Sequence, residues 1–207
     1  MGTIHIDLFM TLDGVVQAPG GPQEDTEGGF GFGGWQFPFF DEESGRLVEA
    51  DIARLDALLL GRKTYDIFAG YWPTAAGDGD IANKFNEVPK YVVSHGHTAL
   101  EWAGSERLGG DVVAEVRRIR DRHREVHVIG SANLVQTLLA NDLFDRLNLW
   151  VHPILLGSGK QAFAGGTVPT NLQLAEPPLA NTKGAVLLRY ERLEGTPSTG
   201  DFTTNEG

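Results

Sequence analysis

Gly61-Arg62-Lys63-Thr64 combines residue types that can hold an anion. The stretch follows the apolar run Ala57, Leu58, Leu59 and Leu60. It precedes Tyr65, Ile67, Phe68 and Tyr71, whose spacing suits a short helix. A helix start presents backbone N–H groups without helical partners, and a glycine lets a phosphate approach the chain. The other account of the same residues is an ordinary β-to-α turn carrying two solvated cations. Two further junctions repeat the arrangement. The strand pattern Lys90 to Ser94 runs into His95, and Glu125 to Ile129 runs into Gly130-Ser131-Ala132-Asn133, which opens a helix beginning with Leu134 and Val135. Ligands of open α/β sheets bind beyond the carboxyl ends of strands. The three junctions together predict a site for a pyrophosphate and a further phosphate, as in an NADP-type dinucleotide.

Other residues could do chemistry and have simpler explanations beside them. Gly29, Gly31 and Gly34 satisfy G-x-G-x-x-G, but no strand precedes them and Trp35-Gln36-Phe37-Pro38 follows where a helix should begin. The pattern is therefore not a dinucleotide fingerprint. A mobile aromatic loop closing over a flat ligand, or a loop plugging its own aromatics into the core, both fit. Asp41, Glu42 and Glu43 could supply a carboxylate for proton transfer, or merely complement the dipole of a helix start. Asp13 could touch substrate or shape its turn with Gly14. His95 and His97 form a possible metal pair, but no third ligand lies within sequence reach, so no metal is expected. Trp35, Trp72, Pro153 and Leu155 either line an apolar substrate cleft or pack the core.

The elements that must position these residues follow from periodicity. Residues 3–10 alternate, with Ile4, Ile6, Leu8 and Met10 on one side and Thr3, His5, Asp7 and Phe9 on the other, which predicts a strand. Residues 17–34 are rich in glycine, proline and acids and read as a long loop. Helices are expected over 41–56, after Gly61, around Phe85, over 110–123 and after Gly130; the later strands fall at 145–151, 172–176 and 185–193. This alternation predicts a mostly parallel sheet with helices on both faces, closing in an antiparallel pair. Residues 1–195 make one domain, and 196–207 form a polar tail expected to be disordered.

Composition narrows the classes. The 207 residues carry a formal net charge of −11, which opposes nucleic acid and anionic membranes, so any phosphate must be held by local cations. Arg117, Arg118, Arg120, Arg122 and Arg124 read as a solvated helix face. There are no cysteines, so disulfides and thiolate metal sites are excluded. No apolar run is long enough to span a bilayer, and the N-terminus lacks a signal-peptide pattern, so a cytoplasmic protein is expected.

TLDGVV (11–16), LLLGRKTYDIFAGYWP (58–73), KYVVS (90–94), VIGSANLVQTLL (128–139) and PILLGSGKQAF (153–163) occur in series. In that order they resemble the dihydrofolate reductase superfamily, most closely the reductase domain of the riboflavin-biosynthesis deaminase/reductase and its stand-alone relatives. The resemblance implies a three-layer dihydrofolate reductase-like fold. It implies NADPH as cofactor, with Gly61, Arg62, Lys63 and Thr64 at the pyrophosphate and 2′-phosphate. Ser94 would help hold the 2′-phosphate, with His95 where Arg or Lys is common. Gly130, Ser131, Ala132, Asn133 and Leu134 match the pyrophosphate loop, Ser131 replacing its second glycine. Phe9, Val15 and Val16 lie where the nicotinamide would pack. A carboxylate on the first helix would assist the proton, Asp41 being the candidate, and a homodimer is expected.

The expected activity is hydride transfer from NADPH to a pteridine- or pyrimidine-like heterocycle. Two alternatives stand beside it. One is the riboflavin-pathway reduction of a ribosylaminouracil phosphate, for which Lys160 is the nearest cation. The other is a non-catalytic nucleotide-binding module.

Overall fold

The computed structural model describes residues 1–77, 79–96, 99–164 and 167–201. The strands are β1 (Thr3–Thr11), β2 (Ala57–Gly61), β3 (Lys90–Val93), β4 (Ser105–Leu108), β5 (Glu125–Ile129), β6 (Arg146–His152), β7 (Asn171–Leu174), β8 (Leu179–Ala180) and β9 (Val186–Leu193). The helices are α1 (Glu42–Arg54), α2 (Arg62–Tyr71), α3 (Asp80–Glu87), α4 (Val112–Arg122) and α5 (Ala132–Ala140). Among the described residues the sheet has nine strands in the order β4-β3-β2-β5-β1-β6-β9-β7, with β8 pairing β9. Pairing is parallel from β4 through β6, and β9 runs antiparallel to β6, β7 and β8.

The two-residue period of β1 sorts the layers. Ile4, Ile6 and Leu8 face α4 and α5, where they join Val116, Ile119, Val135 and Leu138 in the larger core. Ile52 of α1, Tyr65 of α2 and Phe85 of α3 pack with Leu58, Leu60 and Val92 on the opposite face. Helices on both faces explain why β2 is apolar at every position rather than alternating. The fold class predicted from sequence is the one observed. Two short strands, β4 and β8, were not expected.

Lys90 is an exception in this core. Its side chain is fully buried, yet its ammonium donates to the carbonyls of Asn86 (2.9 Å) and Ala103 (3.0 Å) and lies 4.5 Å from the Trp102 ring centroid. Burial pushes its pKa from 10.5 down to about 8. The unfolded chain therefore binds more protons between these values, so stability should rise with pH from about 8 to about 10.5, by up to about 3 kcal/mol. Urea midpoints of the wild type and Lys90→Met across that range check this. The gain should be absent from the variant, and equal slopes would refute it.

Candidate active site

A cleft of about 870 Å³ opens at the carboxyl ends of β2, β3 and β5. It brings together Gly61, Arg62, Lys63, Thr64, Ser94, His95, Gly130, Ser131, Ala132, Asn133 and Leu134. Ser131 locks two of the junctions to each other. Its hydroxyl accepts from the Gly61 N–H at 3.0 Å, and its own N–H donates to Thr64 Oγ1 at 3.1 Å. Reaching that position puts Gly130 (φ 61°) and Ser131 (φ 57°) in the left-handed region. The glycine adopts it freely, whereas Ser131 gives up about 1–2 kcal/mol, which its hydrogen bonds offset. The result is that α2 and α5 start side by side, and neither start has a side-chain cap. First-turn N–H groups and two helix dipoles thus face one cleft, an arrangement suited to a pyrophosphate.

The cations of this end have carboxylate neighbours. Arg62 holds both oxygens of Asp66, one turn along α2, at 3.0 and 2.8 Å. Lys63 lies 3.6 Å from Asp25 of the 17–34 loop. Asp25 also accepts from Lys160 Nζ at 2.6 Å, and Glu27 does so at 2.8 Å.

The other end of the cleft has a polar floor. Asp7 of β1 sits between β5 and β6, where Asp7 Oδ2 meets His127 Nδ1 at 2.7 Å and Oδ1 accepts from Asn148 Nδ2 at 2.7 Å. Burial works to raise the Asp7 pKa, but the His127 charge and these two hydrogen bonds outweigh it and hold the carboxyl ionised. Burial likewise opposes a charge on His127, and Asp7 reverses that and raises its pKa. His5, buried and facing His127, falls to about 4 and is neutral. Phe9, Val16 and Trp150 extend the floor, with Val48 and Ile52 of α1, Phe68 and Trp72 as apolar walls. Asp51 of α1 reaches the same cleft and pairs with Arg189 at 2.7 Å.

The 17–34 loop forms one wall and is packed from within. Val15, Ala18, Phe30 and Trp35 make a small core of their own. Trp35 Nε1 donates to the Gln17 carbonyl, and Gln17 Nε2 donates to the carbonyls of Asp25 and Glu27.

Several residues expected at the site lie elsewhere. Asp41 caps α1, accepting from the Ser44 N–H at 2.9 Å and from Thr182, and these bonds keep its carboxyl well below the usual range. Its carboxylate is committed to the helix start and does not reach the cleft. Asp13 accepts from the N–H groups of Leu156 and Gly157, fixing the loop after β6, and does not line the cleft. Val15 and Trp35 are consumed by the loop core, while Pro153 and Leu155 lie exposed outside the cleft. Phe9, Val16 and Trp72 do line it. His97 lies outside the described residues. The residues missed were Asp7, His127 and Asn148. Their signal was the polar side of β1, where His5 and Asp7 interrupt an otherwise apolar strand.

A model of the RibD C-terminal domain family matches residues 2–178. The chain belongs to that family. Among curated proteins, the RibD-type chain is 23% identical over 175 residues to the uncharacterized protein YyaP of Bacillus subtilis (strain 168), covering 83% of this chain and 85% of that one. Its fold matches a candidate riboflavin biosynthesis protein from Shewanella sp. PV-4 with a TM-score of 0.70 at 18% identity, over 93% of this chain and 99% of the other. It also matches a deaminase/5-amino-6-(5-phosphoribosylamino)uracil reductase from Thermotoga maritima with a TM-score of 0.59 at 15% identity, over 93% of this chain and 57% of that one. These neighbours place the RibD-type domain in the dihydrofolate reductase-like fold. Among the described residues, no helix is long and apolar enough to cross a membrane.

Proposed function

We propose that the protein is an NADPH-dependent reductase that transfers a hydride to a pteridine- or pyrimidine-like heterocycle. The observation that carries this reading is the pair of uncapped helix starts, joined through Ser131 and flanked by Arg62 and Lys63, at one end of a cleft whose other end is apolar with a polar floor. The helix starts receive the pyrophosphate, and Arg62, Lys63, Ser94 and His95 surround the 2′-phosphate. The nicotinamide lies against Phe9 and Val16. Asp7, in place of Asp41, accepts a hydrogen bond from a ring N–H and fixes the heterocycle against the hydride donor. The cofactor supplies the hydride; the protein aligns the two rings and keeps water out.

Fluorescence titration with NADPH and NADH tests the cofactor half. Arg62→Ala should weaken NADPH about 10-fold or more, the value of a hydrogen bond to a charged group, and leave NADH within about twofold. Equal losses would remove Arg62 from the 2′-phosphate. Oxidation of NADPH with dihydrofolate, pterins and pathway uracils tests the rest. Tight NADPH binding with no turnover on any of them would favour a non-catalytic binding module.

The names of the relatives favour a second reading, reduction of a ribosylaminouracil phosphate. Its phosphate would need Lys160, which Asp25 and Glu27 already hold. We also read the chain as a cytoplasmic homodimer, with the exposed Leu172 and Leu174 of edge strand β7 as the surface such a pair would cover. Light scattering in solution decides that point.

A further inference from the structure

The parallel pairing of β1 with β5 sets Thr3 opposite Glu125 and His5 opposite His127, all on the α1 side of the sheet. The two imidazole rings lie 4.7 Å apart between centroids. Each ring has one nitrogen engaged. His5 Nε2 meets Thr3 Oγ1 at 2.9 Å, and His127 Nδ1 meets Asp7 Oδ2 at 2.7 Å. The remaining nitrogens, His5 Nδ1 and His127 Nε2, are buried and have no hydrogen-bond partner, and the same is true of Glu125 Oε2. These three ligand groups converge. Their ligand atoms lie within 4.8 Å of one another, and His127 Nε2 is 3.7 Å from Glu125 Oε2.

Buried polar atoms without partners are rare and costly, and three on residues whose ligand atoms cluster this closely call for a common partner. We propose that His5 Nδ1, His127 Nε2 and Glu125 Oε2 form a site for a divalent transition metal, zinc by preference. Two imidazoles and one carboxylate suit zinc, cobalt or nickel and are poor partners for magnesium or calcium, which prefer oxygen alone. Asp7 behind His127 and Thr3 behind His5 are the outer partners that hold ligand rings in place and set their tautomers. The charge balances, because a dication would displace the Nε2 proton of His127 to solvent and face Glu125 and Asp7. Arg54 Nε, 3.7 Å from Glu125 Oε2, is the cation that the metal must displace or tolerate. Glu125 is about one-fifth exposed, which leaves a route from solvent. A fourth position would hold water.

The site does not depend on the proposed reductase activity. A metal there would join β1 to β5 and hold the His127 proton on Nδ1, facing Asp7. Local spacing gives no sign of such a site, since His95 and His97 have no third ligand within sequence reach. Here strand pairing supplies residues 120 positions apart.

The test uses the untagged full chain, stripped with chelator and titrated with zinc or cobalt. One equivalent should bind. In long-range 15N–1H spectra of the wild type, one histidine should shift as an Nδ1 ligand and another as an Nε2 ligand, assigned to His5 and His127. Cobalt should give the visible bands of a four-coordinate site. Glu125→Gln and His5→Asn should each abolish the stoichiometric binding, and Asp7→Asn should weaken it about 10- to 100-fold. His152→Asn should leave it unchanged. Absence of a bound equivalent, or zinc shifts confined to other histidines, would overturn the proposal and leave a bridging water as the partner. The wild-type spectra decide the matter even if a variant does not fold.

Discussion

Asp7→Ala is expected to lower kcat/KM by about 10- to 100-fold, the value of one hydrogen bond to a charged group, while NADPH affinity stays within about twofold. The expectation rests on Asp7 being an ionised acceptor at the cleft floor, held by His127 and Asn148. The same substitution strips the partner from a buried His127, which costs stability whatever the catalytic role. Two readouts separate the effects. Thermal unfolding reports the lost pair, and steady-state kinetics well below the melting range report the substrate contact. Asp7→Asn keeps the shape and an acceptor oxygen but loses the charge, so its kcat/KM should fall between wild type and Ala. A variant that melts early yet turns over normally would show that Asp7 serves only His127.

Gly159→Ala should be among the most destabilising single-methyl changes in the chain. Its φ of 124° is one that side chains rarely adopt. A Cβ there would lie 2.7 Å from Val15 Cγ1 and 2.9 Å from Phe30 Cε2. Backbone strain and overpacking each cost about 1–3 kcal/mol, so a loss on the order of 3 kcal/mol follows. For a chain of this size the melting temperature would drop roughly 6–12 °C. The clash falls on the core of the 17–34 loop, so ligand affinity should fall with stability. A melting point within about 2 °C of wild type would mean that Val15 and Phe30 give way without cost.

The fold was legible because its signals are local and repeated. Apolar runs, glycine junctions and amphipathic helices alternate along the chain, and the parallel sheet follows from that order. Strand β4 (Ser-Glu-Arg-Leu) escaped because an edge strand buries only Leu108 fully and so needs little apolar pattern. The end of the cleft built from the two helix starts was legible because each half is contiguous, Gly61 to Thr64 and Gly130 to Leu134. The floor could not, since Asp7, His127 and Asn148 come from three strands and meet only through register. Asp41 misled for the opposite reason. A carboxylate at a helix start has a local task, and here Ser44 and Thr182 occupy both of its oxygens. Ser131 shows a third limit: its place in a glycine's position gives no sign that its hydroxyl and N–H tie α2 to α5.

The double hold on Asp25 bears on kinetics. On the reading proposed above, a cofactor phosphate that claims Lys63 would break a 3.6 Å pair on a lysine whose side chain is more than half exposed, a loss of about 1 kcal/mol or less. Lys160 keeps its 2.6 Å contact, and Trp35, Gln17 and Phe30 keep the loop on its own core. The coupling between cofactor occupancy and loop release is therefore weak in both directions. On the proposed reading, cofactor would exchange past a standing wall, without waiting for a gate to open. Its arrival rate is then governed by diffusion against a net charge of −11, so added salt should speed association even as it weakens the phosphate contacts.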